Sequence, residues 1–207
     1  ILIHVPDSSG LNVKNDCFFA AVDFNLVDGG TGAKLYYAGD EQVVNTALEM
    51  FLEDSRLVCE TPFERTYTIG NRTVVVGIPD SEPEFQKLLE QHEISYKDIS
   101  GKWEAFRIQN VSKDGNSYLF IIGSDPRGVA YGVLELSRQI GVSPWVWWAD
   151  VVPEKKQDVV CTFYEHIYEK DIPEYLKVAY YQLVHYPVAA SAAMNRKMLY
   201  AQKSRLY

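Results

Sequence analysis

Trp145, Trp147 and Trp148 fall within four positions of one another, and Asp150 follows two residues later. Flat indole faces cover the apolar C–H faces of sugar rings, and they also fill the seams between packed domains. In an extended segment the side chains alternate, so Trp145 and Trp147 share one side and Trp148 takes the other. One side is expected to pack into this domain while the opposite side looks outward. Trp147 and Trp148 are therefore candidate ligand-binding residues, with packing between domains as the alternative. Asp150 is either a carboxylate facing a ligand or a group that caps and orients the departing chain. Arg127 completes the set: its planar fork suits a carboxylate, whether on a ligand or on a neighbouring side chain.

Reactive groups are harder to assemble. Acid–base catalysis by carboxylates needs two of them held on opposite sides of a reacting bond. No carboxylate pair in this sequence is assigned to that task. Glu41, Glu49, Glu53 and Asp54 read as the solvated side of a helix, and Asp80, Glu82 and Glu84 as turn and helix-start charges near a positive helix end. His4, His92, His166 and His185 lack a spaced carboxylate or cysteine companion, with His92 ending a helix and His166 and His185 in a later helical segment. Cys17, Cys59 and Cys161 are odd in number and without metal-site spacing, which fits buried or incidental thiols. No catalytic residue, metal or cofactor is expected.

The elements that must position the candidates are read as follows. Asp125 can accept from the free N–H groups of a helix start, and Pro126 suits the first helical position, where no donor is needed. Val129, Val133, Leu136 and Ile140 recur at helical spacing, and Gly141 ends the helix. Gly128 and Gly132 each cost about 0.8–1 kcal/mol inside a helix. They imply a close approach, as helix-on-sheet packing or as a cradle for a ligand.

Upstream, Phe18 to Val27 and Ala33 to Ala38 read as strands joined through Asp28-Gly-Gly-Thr-Gly32 in a tight hairpin. Asp40 then caps a helix running to Asp54, with Val43, Ala47, Leu48, Phe51 and Leu52 on one face. Tyr67 to Ile69 and Arg72 to Ile78 read as a second hairpin, with Val74 to Val76 buried on both faces. A short helix ends near His92, and Trp103 to Val111 pairs with Tyr118 to Ile122 across a turn at 113–116. The expected fold is α+β (α/β): one mixed β-sheet covered by helices, followed by a C-terminal helical segment in which Pro187 bends or breaks the helix.

The sequence Gly123-Ser-Asp-Pro-Arg-Gly-Val-Ala-Tyr-Gly132 and the exit Ser143-Pro-Trp-Val-Trp-Trp-Ala-Asp-Val151 resemble the N-terminal domain of glycoside hydrolase family 115, the xylan α-1,2-glucuronidases. Similar small domains precede the barrel in other glycosidases, the family 67 α-glucuronidases among them. The resemblance reaches back to Phe24-Asn-Leu-Val-Asp-Gly29 and forward to about Pro153. A second block, Tyr180 to Val188 and Met194 to Lys203, resembles the helical region that follows the catalytic barrel in the same family.

The resemblance implies an N-terminal accessory domain at 1–155 and a post-barrel helical piece at 156–207. A (β/α)8 barrel needs about 200–250 residues, and only the stretch from Val151 to Ala179 separates the blocks. The barrel and its catalytic carboxylates are thus expected to lie outside this chain. Either an internal segment is deleted, or pieces of a longer protein are joined between Lys155 and Asp171. The implied function is non-catalytic support of a barrel that removes (methyl)glucuronic acid from glucuronoxylan, in a secreted or periplasmic enzyme. Its partners would be the polysaccharide, met through the barrel, and the catalytic domain itself. Arg127 could then meet a uronate. The alternative is a stand-alone carbohydrate-binding or protein-interaction module without enzymatic activity.

Bulk properties set the outer bounds. With 207 residues, 47% of them hydrophobic, the chain can hold a proper core. The formal charge of −8 with scattered lysines excludes a concentrated basic face for nucleic acid. No run of 18 apolar residues is present, so no membrane span is expected.

Overall fold

The computed structural model describes residues 23–143, 146 and 152–161, together with the backbone of 166–168. Phe24–Asp28 (β1), Thr31–Gly32 (β2) and Lys34–Tyr36 (β3) are followed by the helix Gln42–Val58 (α1). Glu64–Thr66 (β4), Thr73–Gly77 (β5) and Pro83–Gln91 (α2) come next. Phe106–Lys113 (β6), Asn116–Gly123 (β7), Pro126–Gln139 (α3), Val159–Cys161 (β8) and His166–Tyr168 (β9) complete the order.

The α+β class expected from the sequence is observed, but the strands form two sheets instead of one. A six-stranded sheet has the order β4-β3-β5-β7-β6-β9, and a three-stranded sheet the order β2-β1-β8. Strands β4, β3, β5 and β7 run parallel, while β6 is antiparallel to β7 and β9.

Both early hairpins are re-paired. The glycine-rich turn does close a hairpin, between β1 and β2, but β3 leaves it for the larger sheet. Likewise β4 and β5 do not pair with each other: both flank β3 in parallel. Turn chemistry marks where a chain bends without fixing which strand lies beside it, and a parallel partner leaves no local signal. The later hairpin stands as expected, with Val111 opposite Tyr118 and Lys113 opposite Asn116.

All five residues of β5 are buried, which two covered faces require. Val74, Val76, Leu119 and Ile121 pack on one face with the stripes of α1 and α3. Val75, Phe120 and Ile122 pack on the other with Phe85 and Leu89 of α2. The sheet is thus a middle layer, with α1 and α3 on one side and α2 on the other.

Asp54 corrects the sequence reading, since it is only 3% exposed. It lies three residues after Phe51 and four before Val58, both fully buried, so helical spacing carries it into the core stripe. His166 is strand, opposite Ile108, and not helix. Strands β8 and β9 both lie beyond residue 155, and β8 completes the smaller sheet against β1. The C-terminal helical segment expected beyond them, including His185 and Pro187, lies outside the described residues.

Candidate functional site

Adjacent parallel strands β3 and β5 send their chains to opposite faces: β3 continues into α1 and β5 into α2. Where neighbouring connections diverge in this way, a crevice opens beyond the carboxyl ends of the strands, the usual ligand position in open α/β sheets. A cleft of about 240 Å³ occupies that place here. Its walls are Ala38 and Gly39 after β3, and Ser81, Glu82 and Phe85 leading from β5 into α2, with Tyr36 and Val76 from the strands.

Glycine is required on the β3 side. A Cβ at Gly39 would stand 2.4 Å from both the Tyr37 hydroxyl and Glu82 Oε1. Those two oxygens meet over this glycine, and both are buried. The other carboxylate oxygen, Oε2, accepts from the Ile78 N–H at 3.2 Å. Burial pushes the Glu82 carboxyl above its ordinary range, helped by the charges of Glu41 and Asp40 and opposed by the Ile78 N–H and the Tyr37 hydroxyl. Burial, then Glu82, raises Tyr37 as well. The sequence placed Glu82 correctly at a helix start. Its apposition to Tyr37 is a long-range contact that local pattern does not announce.

The same end of the sheet carries a second feature. Asp125 caps α3 as expected: Oδ1 accepts from the Gly128 N–H at 2.7 Å, and Oδ2 accepts from the Glu104 N–H, also at 2.7 Å. Ala105 and Ser124 are joined by the Ala105 N–H donating to Ser124 Oγ and the Ser124 N–H donating to the Ala105 carbonyl. Arg127, proposed from the sequence for carboxylate recognition, pairs with Glu104 at 2.8 Å. The adjacent Trp103 is 77% exposed; the sequence reading assigned it only to a strand.

Of the four candidate ligand-binding residues, Arg127 is the one within the described residues; Trp147, Trp148 and Asp150 lie outside them. Arg127 sits in the first turn of α3. The 14 residues of that helix carry the chain about 21 Å away before it reaches Gly141. Cys59 and Cys161 are buried free thiols. The described residues hold no cluster of three or more potential metal ligands and no helix long and apolar enough to cross a membrane.

Protein-family models and curated protein sequences give no match to this chain. Among solved structures it is similar to BtGH115A, described as a family GH115 4-O-methyl-α-glucuronidase with specificity for decorated arabinogalactans. The two share 36% sequence identity with a TM-score of 0.58, over 70% of this chain and 18% of that one. The chain therefore spans less than a fifth of that protein's length, and over that part it has a GH115-like fold. The likeness supports a glycoside-hydrolase-like accessory region.

Proposed function

We propose that this chain is a non-catalytic part of a family 115 glycoside hydrolase, a domain that supports an α-glucuronidase barrel encoded elsewhere in a longer protein. The observation carrying this reading is the combination of 36% identity over most of this chain with coverage of only 18% of the larger enzyme. In this reading the barrel supplies the acid and base, and the α/β unit gives it a rigid neighbour. In this reading the α/β unit also takes in β8 and β9, which pair within its sheets, and the post-barrel helical piece follows them. The natural substrate is a polysaccharide bearing (methyl)glucuronic acid, either glucuronoxylan or the decorated arabinogalactan named for the similar enzyme. A polymer of that kind is met outside the cytoplasm, which suits a secreted or periplasmic protein.

The test uses purified 207-residue chain on glucuronoxylan and on arabinogalactan oligosaccharides. No release of glucuronic acid is expected. Release would overturn the non-catalytic assignment. An intact mass of the natural protein near 23.6 kDa would remove the longer enzyme from the picture.

A further inference from the structure

Trp103 is the feature that the support role leaves unused. An indole ring exposed to 77% forgoes burial that is ordinarily favourable, yet the backbone beneath it is fixed. Gly101 and Glu104, on either side of Lys102 and Trp103, both have positive φ, +72° and +54°. Such a conformation costs a glutamate free energy and persists only where the surroundings enforce it. Here they do: the Lys102 N–H donates to the Ile99 carbonyl at 3.1 Å, the Glu104 N–H donates to Asp125, and Glu104 pairs with Arg127. On the other flank the Ser100 hydroxyl donates to Asp80 at 2.9 Å, tying this corner to the loop that follows β5.

We propose that Trp103 is a surface platform for a pyranose ring of a polysaccharide, with the Glu104–Arg127 pair as its polar rim. The ligand class follows from what surrounds the ring. A protein hot spot built on tryptophan sits in a contiguous apolar patch that excludes water. Among the described residues the other large exposed apolar side chains are Tyr67, Val152 and Val160. Tyr67 follows β4, four strand positions from β6, or about 19 Å across the sheet. Val160 is in the smaller sheet. In the chain Trp103 stands between Lys102 and Glu104, and Glu104 is paired with Arg127. An exposed aromatic face flanked by charged, hydrogen-bonding residues fits a ring with apolar C–H faces and an equatorial belt of hydroxyls. Preorganisation of the corner removes much of the ordering cost of binding. The choice of polysaccharide rests on the glycoside hydrolase reading, whereas the platform itself rests on the geometry.

The experiment is native electrophoresis of the full chain in gels containing soluble glucuronoxylan or arabinogalactan, against an inert reference protein. Wild type should be retarded in at least one gel. Trp103→Ala should weaken the apparent affinity about tenfold or more, while Trp103→Phe, which keeps a ring, should retain part of it. The circular dichroism and urea midpoint of both variants should stay close to wild type, because Trp103 is largely exposed. Absence of wild-type retardation in both gels overturns the platform and leaves the enzyme-fragment reading to its own assay. Retardation that survives Trp103→Ala overturns it too, including the case in which Trp147→Ala or Trp148→Ala abolishes binding instead.

Discussion

Gly128 lies directly against the carbonyl of Ala105: a Cβ on this glycine would stand 2.2 Å from that oxygen. The helix start and the strand entry are therefore in backbone-to-backbone contact, and no side chain can turn aside to make room. Gly128→Ala gains about 1 kcal/mol of helix propensity but forces an overpacked contact that costs about 1–3 kcal/mol or more. The expected net effect is a lower urea midpoint with an unchanged slope. Gly132→Ala meets Ile121 Cγ2 at 2.5 Å, a side-chain atom that can shift, and its loss should be smaller.

Asp125 joins two elements with one carboxylate, since its oxygens take the Gly128 and Glu104 N–H groups. Asp125→Ala should cost about 1 kcal/mol for the helix cap and about 1 kcal/mol for the second hydrogen bond. Asp125→Asn should recover the cap portion. Chemical denaturation of the three proteins checks the order.

The Glu82 carboxyl has a raised pKa in the folded chain, so between its unfolded and folded values the folded state holds a proton that the unfolded state has released. Its contribution to stability is present at low pH and is lost as pH rises from about 4.3 toward the raised value. Glu82→Gln should remove that slope. The stability difference between variant and wild type should shift in favour of the variant as pH rises above about 4.3, read from urea midpoints at each pH.

Burial, joined by the charge of Glu135, pushes the Cys161 thiol up to about 12 against the opposing pull of Arg138 and Lys156. Burial also raises Cys59, against Lys155 and Arg72. Alkylation requires the thiolate. In native protein at about pH 8 both cysteines should resist iodoacetamide, and both should react after addition of denaturant, as peptide mass mapping would show.

The sequence declared its elements wherever one stretch of chain contains the whole signal. Asp125, Pro126 and Gly141 bracket α3, and the turn at 113–116 sets the β6–β7 register. It was silent where the signal is shared between distant stretches. Nothing near Glu64 says that it will lie beside Lys34 in parallel. The cleft has the same origin, because it arises from β3 and β5 becoming neighbours and then parting. Trp103 was hidden for a different reason: an aromatic residue ahead of a strand usually joins the core, and here it is exposed between two residues of positive φ. Gly101 gives some warning of such a conformation, and Glu104 gives none.

Strand β1 receives its second partner late, for Phe24 pairs with Cys161. During synthesis β1 must wait for this partner until the stretch from residue 29 to residue 158 has left the ribosome. A strand edge left unpaired can recruit the wrong chain. Aggregation of truncated or slowly translated product should therefore concentrate in the interval before Val159 emerges, and fall once β8 is laid against β1.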